Sequence, residues 1–161
     1  MLRVVESALI ERPVAELFAI AADPFKQLAW DPGTLKSVEK LGAGPLGRGA
    51  RYRGTFKGFG VVEYDYADYD PPRRFSHRTR LKMGEMRHTF TFEAVPGGAR
   101  LTQEGELRPN LLGWLLQPLM ARMLRKRFRE IADELRAYAA TARPAAGAPA
   151  SNSSAGGIGV S

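Results

Sequence analysis

Hydrophobic positions change their period twice along this chain. Leu2 to Glu11 alternates loosely and is rich in Val, Leu and Ile, the pattern of a first strand. Pro13 then suits a first helical position, and Val14, Leu17, Phe18 and Ala21 follow at helical spacing. Asp23-Pro24 punctuates and opens a second short helix, PFKQLAW, which closes at Trp30-Asp31-Pro32-Gly33. Beyond it the period shortens again. Leu35, Val38 and Leu41 predict a short strand, followed by strands over Ala50–Phe56, Val61–Asp70, Phe75–Met83, Met86–Val95 and Ala99–Leu107. Glycine- and proline-rich turns separate them: GAGPLGRG, Lys57-Gly58-Phe59-Gly60, Asp70-Pro71-Pro72-Arg73, Lys82-Met83-Gly84-Glu85 and Pro96-Gly97-Gly98. Short strands with regular turns predict one antiparallel meander.

From Asn110 to Ala142 the helical period returns. Leu116, Met120, Leu124, Phe128, Ile131, Leu135 and Tyr138 form one stripe, and most charged residues fall off it. Leu112, Leu115, Leu119 and Met123 widen the apolar face over the first turns. Asn110 is the expected N-cap, and Pro118 predicts a kink or break, since proline lacks the N–H that a helix interior needs. The helix needs a broad apolar partner, and the preceding sheet has one face to cover. The expected class is α+β: a strand, two short helices, six strands, one long helix.

Alternation also sorts side chains by face. Val62, Tyr64 and Tyr66 share one face; so do Phe75, His77, Thr79 and Leu81; so do Met86, His88, Phe90, Phe92 and Ala94; so do Leu101, Gln103, Gly105 and Leu107. Glu63 and Asp65 fall on the opposite side. Glu6 points inward with Val4, Ala8 and Ile10, or outward if Val5 and Leu9 take the core; both registers are open. A hairpin about Met83-Gly84 would bring His77 and His88 to one level. These two are the histidines of the chain, and each is either a hydrogen-bonded structural residue or a general acid/base beside a ligand. Tyr64 and Tyr66 are either core phenols or orienting hydroxyls. Gln103 either lines a wet pocket or faces solvent. Trp30 is expected at a rim or corner, packing the turn after the second helix in a core role.

Composition narrows the classes. The absence of cysteine excludes disulfides and thiolate chemistry, and two histidines without a nearby acidic residue make a poor metal site, so neither metal nor cofactor is expected. There is no phosphate loop or nucleotide fingerprint. Net charge is +7, with a basic run at Arg122, Arg125, Lys126, Arg127 and Arg129. That run is a solvated helix face or a surface for an anionic partner, and nothing beside it matches a nucleic-acid motif. The N-terminus lacks the apolar run of a signal peptide or anchor, and a soluble, cytoplasmic protein is expected. Residues 143–161 are nearly all Pro, Ala, Gly and Ser, which predicts a disordered tail on a domain spanning 1–142.

The strand ending in Ile10-Glu11-Arg12-Pro13, the Leu17-Phe18 helix, the Trp30-Asp31-Pro32 corner, EYDYADYDPPRRF, Gly97-Gly98-Ala99-Arg100-Leu101-Thr102 and the long final helix together resemble one family. It is the START-like polyketide cyclase/dehydrase and lipid-transport group of the SRPBCC superfamily. Ala99 departs from the threonine expected after the paired glycines. The resemblance implies a helix-grip fold, a seven-stranded curved sheet wrapped around the last helix, with a pocket for an apolar small molecule such as a lipid, polyketide or quinone. The expected ligand-binding residues are Tyr64, Tyr66, His77, His88, Phe90, Phe92, Gln103, Leu116, Leu119, Met120 and Met123. The alternatives are a polyketide cyclase or dehydratase using His77 or His88, and a membrane-surface or protein-interaction module using the basic helix face.

Overall fold

A computed structural model describes residues 1–141; the tail expected over 143–161 lies outside them. The chain runs β1 (Leu2–Ile10), α1 (Val14–Ala22), α2 (Pro24–Trp30), β2 (Leu35–Leu41), β3 (Arg51–Phe56), β4 (Gly60–Asp70), β5 (Arg74–Leu81), β6 (Gly84–Val95), β7 (Gly98–Pro109), α3 (Leu111–Leu115) and α4 (Gln117–Thr141). Among the described residues the strands form one seven-stranded sheet in the order β1-β7-β6-β5-β4-β3-β2. Every pairing is antiparallel. Only the β1–β7 pairing joins strands distant in sequence, and it places the N-terminus beside the strand that leads into the helices.

One element starts differently from expectation, and one breaks where Pro118 predicts. Pro13 is the N-cap of α1 instead of its first helical residue. The final helix is two helices, parted at Leu116. Pro118 then sits in the first turn of α4, where a missing N–H leaves no hydrogen bond unmade. Local chemistry fixes the junctions: the Asp23 carboxylate accepts from Phe25 N at 2.9 Å to start α2, and the Asn110 side chain accepts from Gly113 N at 3.0 Å to start α3.

α4 lies along the sheet with Met120, Phe128, Ile131, Ala132, Leu135 and Ala139 buried. Burying one such large side chain is worth about 1.5–3 kcal/mol, so tertiary packing outweighs helix propensity in holding α4. The inner face of the sheet is aromatic. A register shift between Tyr66 and Asp68 changes the alternation of β4, so that the Tyr69 ring lies 6.0 Å from Tyr66 and 5.6 Å from Phe18. At Gly105 the sheet has a notch: a Cβ there would stand 2.7 Å from Phe128 Cζ. Gly105→Val should therefore push the Phe128 ring out of its seat and lower stability by about 1–3 kcal/mol in urea denaturation.

Candidate functional site

A cavity of about 190 Å³ lies between the concave face of β3–β6, α2 and the middle of α4. Its walls are mostly apolar and aromatic, including Trp30, Phe56, Met86, Phe90, Leu124, Phe128 and Ile131. The polar groups are few: Gln27, Thr34, Tyr64, His77, Thr79, His88 and Arg127. The hairpin joining β5 and β6 does bring the histidines level, since His77 and His88 are direct cross-strand partners. Their rings then part company. His77 sits among phenols and Phe75, 5.0 Å from the Tyr64 ring and 4.6 Å from Tyr66. His88 stacks on Phe128 at 4.4 Å and leans on Phe90 at 4.1 Å.

Hydrogen bonding separates these groups further. Tyr66 donates its hydroxyl to Ala22 O at 2.6 Å, a fully buried bond that ties β4 to α1. His88 Nε2 lies 3.2 Å from Gln103 Oε1, and Gln103 Nε2 donates to Phe128 O at 2.7 Å. Tyr64 Oη and His77 Nε2 are buried and have no hydrogen-bond partner among the described residues. Burial holds His77 down at about 4, slightly opposed by the Asp65 charge. Burial also holds His88 down at about 3, helped by His77 and opposed by the Gln103 hydrogen bond. Both imidazoles are neutral at physiological pH. Burial pushes the Tyr64 phenol well above its usual range, so it keeps its proton.

A second polar group stands behind the cavity wall. Asp31, wholly buried at the end of α2, pairs with Arg127 of α4 and accepts from Gln27 Nε2 at 3.0 Å. Arg127 also lies 3.6 Å from Glu134. Asp31 Oδ1 and Glu134 Oε2 are both buried without a partner. Burial first, then the adjoining Asp31, raises Glu134 to about 7. A proton on Glu134, given to Asp31, satisfies both oxygens. Sequence reading gave Asp31 only a corner role; an Asp before Pro at a helix end carries no sign of a partner in α4.

The fold has counterparts among known proteins. The sequence profile of the family described as polyketide cyclase/dehydrase and lipid transport matches residues 1–140. The chain belongs to this family. No curated protein matches it. Among solved structures, this family member is similar to a START superfamily protein from Mycobacterium smegmatis, with 13% identity and a TM-score of 0.73 over 86% of this chain and 97% of that one. It is similar to a protein from Rhodobacter sphaeroides at 17% identity and a TM-score of 0.71, covering 88% and 94%. It is also similar to Ara h 8.0201, at 15% identity and a TM-score of 0.69, covering 87% and 98%. Identities this low speak for the helix-grip fold alone.

Within this family member, the residues expected to bind ligand divide. Tyr64, His77, His88 and Phe90 meet at the cavity. Tyr66 and Phe92 are buried beside it in the aromatic core. Gln103 does not line this cavity and does not face solvent: it is 1% exposed and spent on the bond between β7 and α4. Leu116 is half-buried at the α3–α4 break and Met120 is buried near it, and neither lines the cavity. Leu119 and Met123 are 56% and 49% exposed, because they lie on the side of α4 turned away from the sheet. Glu6 takes the inward register with Val4 and Ile10, but its carboxylate is drawn aside by Arg129 at 3.2 Å. Glu63 and Asp65 lie outside, paired with Arg53 and Arg78. Trp30, at the corner that ends α2, is buried in the core as expected, with its indole N–H donating to Ile20 O at 3.1 Å. Gln27, Thr34, Phe59 and Leu124 complete the cavity; they lie on helices, hairpin and corner, where alternation gives no signal.

A wider groove of about 730 Å³ at the β3–β5 end is lined by Arg51, Glu63, Asp65, Arg78 and Arg80. Several of these ions pair with one another across it, Arg78 with Asp65 at 2.8 Å and Arg51 with Glu63 at 3.4 Å, as on an ordinary solvated surface. The basic run of α4 is likewise divided. Arg127 turns inward to Asp31, Arg129 pairs with Glu6 and Lys126 lies 3.8 Å from Glu130.

Proposed function

We propose that this protein binds a compact apolar molecule bearing a neutral oxygen, a carbonyl or a hydroxyl, in the cavity between sheet and α4. One observation carries the reading. Tyr64 Oη and His77 Nε2 are buried without partners among the described residues at a mostly apolar wall. An unsatisfied buried polar group costs about 1–3 kcal/mol, and a ligand oxygen reaching both would remove that cost. The cavity volume, about 190 Å³, suits a small ring system or short chain better than a two-chain lipid. Cyclase or dehydratase chemistry is less well supported. It asks a histidine to exchange a proton near neutral pH, and values of about 4 and 3 place both rings well below that range.

Native mass spectrometry of the purified chain identifies what co-purifies. Titrations with fluorenone and fluorene, which share a ring frame and differ by the carbonyl, then test the polar contact. Wild type should prefer the ketone, and Tyr64→Phe should weaken ketone binding by roughly 5–30-fold while leaving the hydrocarbon unchanged. Equal affinity for both probes, unmoved by Tyr64→Phe, would sink the reading.

A further inference from the structure

The described helices include none long and apolar enough to cross a membrane, yet one end of the molecule is unusually greasy. In α3 and the first turns of α4, Leu111, Trp114, Leu115, Leu119 and Met123 are 78, 63, 63, 56 and 49% exposed. Leu119 and Met123 lie one turn apart on α4 and form an outward stripe that continues into Arg122 and Lys126, and Leu115 is exposed at the end of α3 just before the break. The hairpin between β3 and β4 adds Phe59 and Val61, 54% and 66% exposed.

The face is held firmly. Asn110 donates its side-chain amide to Lys82 O at 2.8 Å and its backbone N–H to Met83 O at 3.0 Å. Gly113 packs against the same turn so closely that a Cβ would fall 2.2 Å from Met83 O. α3 is therefore seated on the β5–β6 turn and shows its leucines and tryptophan to solvent from a fixed platform. Around it stand Lys82, Arg108, Arg122 and Arg125, all exposed and none in a salt bridge among the described residues.

We infer that α3 and the first turns of α4 dock on the surface of an anionic lipid bilayer. The apolar stripe would enter the headgroup boundary, Trp114 would sit at the interface, and the four cations would meet lipid phosphates. A second copy of this chain fits less well. A two-fold contact through this face would bring Arg122 and Arg125, neither of them in a salt bridge among the described residues, against their own images. Leu81 and Phe59 line the cavity from this same end, as does Leu124 of α4, so docking would present the cavity to the lipid. The inference concerns the outer face and holds whether or not the cavity takes a ligand.

The test is flotation of the full chain with phosphatidylcholine vesicles, with and without phosphatidylglycerol, alongside tryptophan emission and size-exclusion chromatography. Trp30 is buried, so a blue shift on mixing reports Trp114. The expected result is binding to anionic vesicles with a blue shift, weakened by high salt. Leu115→Ser/Leu119→Ser should lose it at every salt concentration. Arg122→Glu/Arg125→Glu should weaken binding to anionic vesicles by roughly tenfold or more. All four positions are exposed, so unchanged melting temperatures check that the variants fold. Absence of flotation with anionic vesicles overturns the inference, and so does binding that the serine variant leaves intact. A vesicle-free dimer that shields Trp114 assigns the face to a second copy. Binding to polyglutamate without any binding to vesicles assigns it to an acidic protein.

Discussion

Arg127→Met should destabilise the domain by about 3–5 kcal/mol at neutral pH, a fall in melting temperature of about 10 °C or more. The reason is what the substitution leaves behind. Asp31 is 0% exposed, and its Oδ2 takes the Arg127 guanidinium and the Gln27 amide. Methionine matches the volume but leaves the buried Asp31 carboxylate without a cation, its remaining neighbours the Gln27 amide and the Glu134 carboxyl. Asp31→Asn/Arg127→Met should recover much of the loss, because the charge that needed the partner is gone. Urea denaturation of the two single variants and the double variant closes the cycle. Additive losses would mean that the two residues act separately and would refute this account. α2 should also loosen from α4 in Arg127→Met, which hydrogen exchange at Gln27 to Asp31 would register.

Acid should unfold the domain well before its surface carboxylates are exhausted. His77 and His88 bind a proton less readily in the folded chain, at about 4 and 3, than at the ordinary 6.5. Their contribution is therefore complete above about pH 6.5 and is lost as pH falls towards 4, on the order of 3 kcal/mol per ring by that point. Glu134 works the other way. Its folded carboxyl keeps a proton up to about 7 against 4.5 ordinarily, so raising the pH through that window removes stability. Two rings outweigh one carboxyl, and stability should climb from pH 4 to about 6 before flattening near neutrality. Melting temperatures across that range should show this limb in wild type. It should be shallower in His77→Phe and in His88→Leu; an acid limb unchanged in both would place the titration elsewhere.

Much of this architecture can be read from period and punctuation. Alternation places the strands to within about two residues of their observed ends, because each has one face to bury and a glycine or proline turn to close it. The level of His77 with His88 follows from the hairpin about Met83-Gly84 alone. What alternation misses has a common cause. Leu119 and Met123 fit a helix face as well as Met120 does, but periodicity cannot tell how much of that face the sheet reaches. Tyr69 joins the inner aromatics only because β4 slips register after Tyr66, a change invisible in a strand read by twos. Asp31, Arg127 and Glu134 meet across about a hundred residues, and nothing local to any of them names the others.

The Gln103 amide has one further consequence. Its nitrogen faces the Phe128 carbonyl and must donate, so its oxygen is the atom turned to His88, and His88 Nε2 must carry the hydrogen. The imidazole is thereby locked in one tautomer, with Nδ1 as its lone-pair nitrogen. A tautomer flip would need the amide to rotate, and rotation would set its oxygen against the carbonyl of α4. The proton on His88 and the seating of the helix are then a single mechanical coordinate. A molecule that wedged α4 away from β7 would, in the same movement, free the ring to change which nitrogen it offers.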